Sequence, residues 1–183
     1  MPADPIPALA ILTAAYLFRL VREFLLVSRS RAAREGRVSL ALFGFAWALA
    51  AMGSWGGVVR HGSQAALFWT GILGMLACHH LRLRIARSDL QGSYGTGMAP
   101  HETLVESGAY GQIRHPIYLC YASEILFVAL ICPGLLGLAA FLLNLGATLW
   151  RIPREEDLLH GVFQADWDKY CQKVRWRLIP RIW

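Results

Sequence analysis

Charged residues are scarce in this 183-residue sequence. Asp, Glu, Lys and Arg make up 16% of it and hydrophobic residues 56%, whereas ordinary soluble domains are roughly 45–50% apolar. This balance argues against a soluble domain. The charges that are present are mostly basic, giving a net charge of +6. In so apolar a chain we interpret them as flanks of membrane spans rather than as a surface for nucleic acid.

The sequence also lacks the patterns that mark several other classes of protein. Its four cysteines form no Cys-x-x-Cys pair, so neither a disulfide framework nor a metal site is expected. A secretory signal has Lys or Arg before its apolar run, and neither precedes the first apolar run of this sequence. We therefore expect that run to remain as a membrane span. The glycines between Gly92 and Gly97 follow no predicted strand, which excludes a dinucleotide-binding fingerprint.

Five long apolar stretches predict five transmembrane helices, because a helix needs about 20 apolar residues to cross a bilayer. They cover Ile6 to about Val27, Val38 to Val59, Ala65 to Leu83, Ile117 to Ile131 and Leu135 to Trp150. Only Cys132-Pro133-Gly134 separates the last two, which predicts a tight helical hairpin. The fold class is therefore an all-α integral membrane protein with a single domain. Residues 1–87 hold three spans, and residues 88–183 hold the other two spans and the site.

The arginines are distributed unevenly between the two sides of this predicted bundle. Many lie between spans one and two, between spans three and four, and after span five, whereas Arg60 stands alone on the other side. Positive residues favour the cytoplasmic side, which predicts an outside N-terminus and a cytoplasmic C-terminus. For so short a chain, a bacterial inner membrane is expected. Apolar residues at spacings of three and four from Leu158 to Val174 predict an amphipathic helix. It could lie on lipid headgroups or fold over a cofactor pocket.

Three groups of polar residues are candidates for chemistry. Arg114-His115-Pro116 opens span four, where the helix dipole and free amides favour an anion. Glu155-Glu156-Asp157 follows span five, and these acids could cap the next helix or bind a cationic group. Glu124 lies inside span four, where a carboxylate by default marks a functional site. The alternative is a protonated Glu124 that is hydrogen-bonded to a neighbouring helix. His79 and His80 point in different directions on a helix and are expected to make ordinary polar contacts.

The C-terminal half, from about Ser88 to Pro180, resembles the isoprenylcysteine carboxyl methyltransferase family, which is related to membrane phospholipid N-methyltransferases. The resemblance is carried by Leu104-Val105, Gly108-Ala109-Tyr110, Arg114-His115-Pro116-Ile117-Tyr118, Arg151 with Glu155-Glu156, Phe163, Tyr170, Val174 and Ile179-Pro180. The Arg-His-Pro-x-Tyr element followed by a Glu-Glu pair is its most specific part.

This resemblance implies that S-adenosylmethionine binds in a cytoplasmic pocket and that a lipid-like acceptor, with a carboxylate favoured, enters from the bilayer. The cofactor-binding residues that it implies are Leu104, Val105, Gly108, Tyr110, His115, Pro116, Tyr118, Glu155 and Glu156. Arg151 or Arg154 would orient an anionic acceptor. An amine acceptor would need a base, for which Glu124 or one of the paired glutamates could serve.

Three positions depart from the family pattern and bear on the acceptor rather than on the cofactor. Cys120 and Gln164 stand where the family has glycine, and Trp167 stands where tyrosine is common. Two other functions fit the same residues. One is an NADPH-dependent sterol-type membrane reductase, in which the arginines would bind a phosphate. The other is a non-enzymatic lipid-binding membrane protein with its arginines on anionic headgroups.

Overall fold

The computed structural model describes residues 33–61, 65–88, 103–131 and 134–183, together with the isolated positions 10, 13, 14, 17 and 21. Within these ranges the chain is helical and contains no strand. The helices are α1 Ala33–His61, α2 Ala65–Ser88, α3 Pro116–Ile131, α4 Leu135–Phe163 and α5 Ala165–Lys173, with a 3-10 turn at Gly108–Gly111. Apart from the isolated positions, the predicted first span lies outside the described residues, as do Gly92 to Gly97.

By length and composition, α4 alone among the described helices is apolar enough over a sufficient length to cross a membrane. α1 contains a shorter apolar segment, Ala41–Gly53, and α3 is itself a shorter apolar helix. The predicted helical class is confirmed, whereas the number of spans and their orientation stay predictions. The 29 residues of α4 extend about 43 Å at 1.5 Å per residue. Since a bilayer core is about 30 Å thick, the last turns of α4 would project beyond it.

The helical hairpin predicted from the Pro-Gly break is present. α3 ends at Ile131 and α4 begins at Leu135. Gly134 precedes α4 with a φ of 136°, a conformation that glycine adopts without the steric cost of a side chain. At the other end of the hairpin, Pro116 is the first residue of α3, where its missing N–H removes no helical hydrogen bond.

The predicted boundary after span five is absent. α4 continues through Pro153 to Phe163, so the three acids Glu155-Glu156-Asp157 lie within a continuous helix rather than in the first turn of a new one. Gln164, with a φ of 48°, then separates α4 from α5. The single amphipathic helix expected up to Val174 is therefore divided in two.

α5 packs against the loop that precedes α3. Trp167, Tyr170 and Val174 are buried together, and Leu104 and Phe163 pack against them. This packing favours the second of the two roles considered for the amphipathic segment, a helix folded over the end of the hairpin.

All four long helices contribute to one apolar core. Its buried members are Trp47, Ala50, Met75, Ile125, Val128 and Ala140. α2 packs chiefly on α3, and α1 chiefly on α4. This arrangement aligns the polar residues of α2, α3 and α4 along the inside of the bundle.

α2 and α3 approach each other so closely at two glycines that a side chain there would collide. A Cβ at Gly71 would overlap Ile131 and lie 2.8 Å from the carbonyl oxygen of Phe127, and a Cβ at Gly74 would overlap the Phe127 ring. We expect Gly71→Ala to lower the free energy of unfolding by about 1–3 kcal/mol, because the two helices must separate. Thermal unfolding in detergent measures this loss. Gly146→Ala is the matched control, since nothing lies within 4 Å of its Cβ, and an equal loss in both variants would contradict the expectation.

Candidate functional site

Glu156 of α4 is surrounded by three basic side chains. Its Oε1 lies 3.2 Å from Nε2 of His115 and 3.3 Å from Nη1 of Arg114. Its Oε2 lies 2.7 Å from Nη2 of Arg177. Burial alone would raise the pKa of Glu156, but hydrogen bonds from His115 and Arg177 outweigh it and lower the pKa to about 2. Glu156 is therefore ionised at neutral pH and joins three segments of the chain.

Tyr118, in the first turn of α3, connects the other glutamate to an arginine. Its hydroxyl donates to Oε2 of Glu155 at 2.5 Å and accepts a hydrogen bond from Nε of Arg151. The guanidinium of Arg151 is 5.9 Å from the centroid of the Tyr118 ring, and the centroid of the His115 ring is 5.6 Å from it. We call His115, Tyr118, Arg151, Glu155 and Glu156 the hairpin cluster.

Helical spacing explains why these residues meet. His115 and Tyr118 are three positions apart, and Arg151 and Glu155 are four apart, so each pair lies on one side of its helix. Because α3 and α4 run antiparallel, the start of α3 lies beside the later turns of α4. The hairpin thus brings two short motifs together, although the residues that bond are 37 and 41 positions apart in the chain.

The segment after α5, residues 174–183, packs against the hairpin cluster. The carbonyl oxygens of Trp176 and Arg177 accept hydrogen bonds from the amides of Arg114 and His115, each at 2.9 Å. Leu178 of the same segment packs on the Tyr118 side of the hairpin. These contacts place Arg177 within reach of Glu156. Sequence reasoning assigned Arg177 only a topological role, and no local motif marks it as a site residue.

Of the other predicted cofactor-binding residues, Pro116 begins α3 and the rest lie in the loop before it. Leu104 packs against α5, and Val105 is half-buried. Gly108, with a φ of 61°, opens the 3-10 turn. The carbonyl of Tyr110 accepts a hydrogen bond from the hydroxyl of Tyr170 at 2.8 Å. Burial raises the pKa of Tyr170, so its hydroxyl remains a donor and holds the loop against α5.

The two arginines proposed for the acceptor have different surroundings. Arg151 is 2% exposed and belongs to the hairpin cluster. Arg154 instead lies over the ring of Trp150, 3.9 Å from its centroid, and donates to the Trp150 carbonyl at 2.8 Å. The geometry therefore favours Arg151 as the arginine that acts with Tyr118.

Glu124 lies apart from the hairpin cluster, in a second buried group. It is fully buried, and its Oε1 accepts from Nε of Arg82 at 3.2 Å. Nδ1 of His79 is 3.6 Å from the same oxygen and accepts from Nη2 of Arg82 at 3.0 Å, since arginine can only donate. Arg82 also lies over the ring of Tyr121, 5.1 Å from its centroid. We call Glu124, Arg82 and His79 the mid-bundle cluster, and sequence reasoning missed Arg82 as one of its members.

No protein-family model matches the chain, and comparisons with curated proteins and with solved structures give no match either. Within the part of the chain that the structure describes, no group of three or more His, Cys, Asp or Glu side chains is placed to hold a metal ion. The hairpin cluster combines a buried arginine, a buried histidine, two carboxylates and an aromatic ring. Such a combination suits a small polar ligand that carries charges of both signs.

Proposed function

We propose that the chain is a multi-pass membrane protein with its N-terminus outside and its C-terminus in the cytoplasm. Besides the length of α4, the outward faces of several helices support insertion in a membrane. Phe45 and Met52 of α1, Leu73 of α2, and Leu138 and Leu142 of α4 are 53–65% exposed. Large apolar side chains exposed on several helices would be a liability in water, whereas lipid would cover them.

The proposed activity is transfer of a methyl group from S-adenosylmethionine to a hydrophobic acceptor at the cytoplasmic end of the bundle. The hairpin cluster is the observation that carries this proposal. The Arg-His-Pro-x-Tyr and Glu-Glu elements that resemble isoprenylcysteine carboxyl methyltransferases lie far apart in the sequence. They nevertheless meet through direct bonds between His115 and Glu156 and between Tyr118 and Glu155.

The groups of this site fit S-adenosylmethionine, which carries a carboxylate, an ammonium group and a sulfonium centre. Nε of Arg114 is buried without a hydrogen-bond partner among the described residues, and it could donate to the carboxylate. Glu155, which is only half-buried, could accept from the ammonium group or from the ribose hydroxyls. The ring of Tyr118 offers a face for the sulfonium charge. When bound, the cofactor supplies an electrophilic methyl group.

The residues of the chain would then have to orient the acceptor and exclude water. Arg151 would hold an acceptor carboxylate through two parallel hydrogen bonds, and its bond to Tyr118 fixes the direction of its guanidinium. Well-aligned reactants can lower a barrier by up to about 7–11 kcal/mol. An amine acceptor would need a base instead. Glu155 belongs to the hairpin cluster and would serve, whereas Glu124 lies apart from it and is paired with Arg82.

We expect S-adenosylhomocysteine to bind the purified wild-type protein, as measured by isothermal titration in detergent. Tyr118→Phe and Glu155→Gln should each weaken binding about tenfold or more. Tyr118→Phe removes the Tyr118–Glu155 hydrogen bond, and Glu155→Gln removes the charge of its acceptor. A bond to a charged group contributes about 1.5–3 kcal/mol, where 1.4 kcal/mol is a tenfold change in affinity.

The matched control is Asp157→Asn, which removes the neighbouring exposed carboxylate and should leave the affinity unchanged. An equal loss in Asp157→Asn would show a general charge effect and count against the assigned site. Failure of the wild type to bind S-adenosylhomocysteine would overturn the proposed activity. In that case, binding of NADPH would favour a reductase, and binding of neither would favour a lipid-binding role.

A further inference from the structure

Two polar side chains on the buried face of α4 have no hydrogen-bond partner among the described residues. Asn144 is 1% exposed and Thr148 is fully buried. Both amide atoms of Asn144, Nδ2 and Oδ1, and the hydroxyl of Thr148 lack a partner. The two residues are four positions apart, so they lie on one side of the helix, one turn from each other.

Such an arrangement is costly unless something else bonds these atoms. Each buried donor or acceptor without a partner destabilises a protein by about 1–3 kcal/mol. Leucine or valine would fill nearly the same volume at these positions without that cost, and α4 is otherwise apolar up to Trp150. Three orphaned atoms on adjacent turns therefore point to a partner that is not part of the described chain.

The pair lies between the apolar core and the hairpin cluster. Ala140, one turn before Asn144, belongs to the core, and Arg151, three positions after Thr148, belongs to the hairpin cluster. Antiparallel pairing of Tyr118 with Glu155 and of His115 with Glu156 places Thr148 at about the depth of Glu124. The buried residues Ala140 and Ala147 are small, which leaves this side of α4 with little side-chain bulk.

The chemistry of the pair restricts the class of ligand. Asn144 and Thr148 carry no charge, and Glu124 and Arg82 at this depth are already paired with each other. An ionised group bound by the pair would therefore lose its hydration with neutral dipoles to replace it. A ketone could only accept a hydrogen bond and would leave Oδ1 of Asn144 without a partner. A hydroxyl group both donates and accepts, and can therefore bond the amide and the threonine together.

We propose that Asn144 and Thr148 bind the hydroxyl group of an uncharged, long-chain alcohol inside the bundle. This inference rests on the proposed function, because a hydrophobic molecule would reach these residues from the bilayer. It goes beyond that function, because an uncharged alcohol is a further ligand and not the acceptor whose carboxylate Arg151 would hold.

Thermal unfolding of the full chain in detergent, followed by tryptophan fluorescence, tests the site with 1-tetradecanol as the probe. We expect the alcohol to raise the Tm of the wild type by about 5 °C, as a ligand at many times its Kd does for a domain of this size. Tetradecane is the control of equal chain length without a hydroxyl, and should give a shift at least about threefold smaller.

Three variants distinguish an alcohol bound at this pair from an alcohol that acts only on the detergent micelle. Asn144→Leu and Thr148→Val should fold at least as stably as the wild type, because they remove orphaned groups, yet lose the shift. Thr148→Ser keeps the hydroxyl and should retain it. An equal shift in Asn144→Leu or Thr148→Val would show a micelle effect and overturn the proposal. A wild type that does not respond would show that the pair binds water only, which also overturns it.

Titration of the wild type with S-adenosylhomocysteine in the same detergent distinguishes this failure from failure of the proposed function. If the cofactor analogue binds and the alcohol produces no shift, the alcohol site is wrong and the methyltransferase proposal stands. If the alcohol produces a shift that depends on Asn144 while the analogue does not bind, the site stands and the proposed activity fails.

Discussion

Glu156→Gln is expected to lower the free energy of unfolding by about 3–5 kcal/mol, the loss that follows when one partner of a buried ion pair is removed. Glutamine has nearly the same shape, but it carries no charge, and its amide nitrogen is a donor facing donors. Arg114, His115 and Arg177, which all lie within 3.3 Å of the wild-type carboxylate, would lose their common partner. Chemical or thermal unfolding in detergent measures the change.

The effect of Glu156 should also depend on pH. Because its pKa is lowered on folding to about 2, its contribution is fully present above the ordinary glutamate value of about 4.3. It is lost as the pH falls through about 2. The wild type should therefore lose more stability than Glu156→Gln between pH 6 and pH 3. Asp157→Asn, an exposed neighbour, is the control for both measurements, and parallel acid profiles for wild type and Glu156→Gln would contradict the assignment.

Arg82→Met is the second substitution expected to have a large effect. It would leave Glu124, which is fully buried, without the guanidinium that lies 3.2 Å away. The loss should again be about 3–5 kcal/mol, whereas the double variant Arg82→Met/Glu124→Met should recover most of it, because a buried ion pair can often be replaced by apolar residues. Double-mutant cycles from unfolding curves give the coupling energy.

The control for this pair is Arg84→Met, two positions further along α2 and exposed. It should change the free energy of unfolding by less than about 1 kcal/mol. If Arg82→Met and Arg84→Met had equal effects, the mid-bundle cluster would not be the reason for the loss. If the double variant were no more stable than Arg82→Met, Glu124 would have a stabilising role that does not depend on Arg82.

The parts of the fold that depend on local chemistry were predictable from the sequence. The Pro-Gly break locates the turn between α3 and α4, and Pro116 marks the start of α3. The spacing of His115, Tyr118, Arg151 and the paired glutamates indicates which side chains share a helix face. In each case the signal lies within a few residues, where backbone geometry alone determines the outcome.

The remaining features depend on tertiary contacts. α4 continues through Pro153, although proline usually ends a helix. Judged by the helix propensity of proline alone, α4 would end near this residue. Arg82 and Arg177 belong to two separate groups of basic residues, and the positive-inside rule accounts for both groups. Nothing in the sequence distinguishes the arginines that bond Glu124 and Glu156 from those that do not.

The hydrogen bonds from the amides of Arg114 and His115 to Trp176 and Arg177 have a consequence for biosynthesis. The residues that close the hairpin cluster are translated after α3, α4 and α5, at about 5–20 residues per second. A nascent chain whose hairpin has already entered the membrane would still lack the guanidinium of Arg177 beside Glu156. In the proposed membrane arrangement, completion of the site would thus be a late step on the cytoplasmic side, separate in time from insertion of the helices.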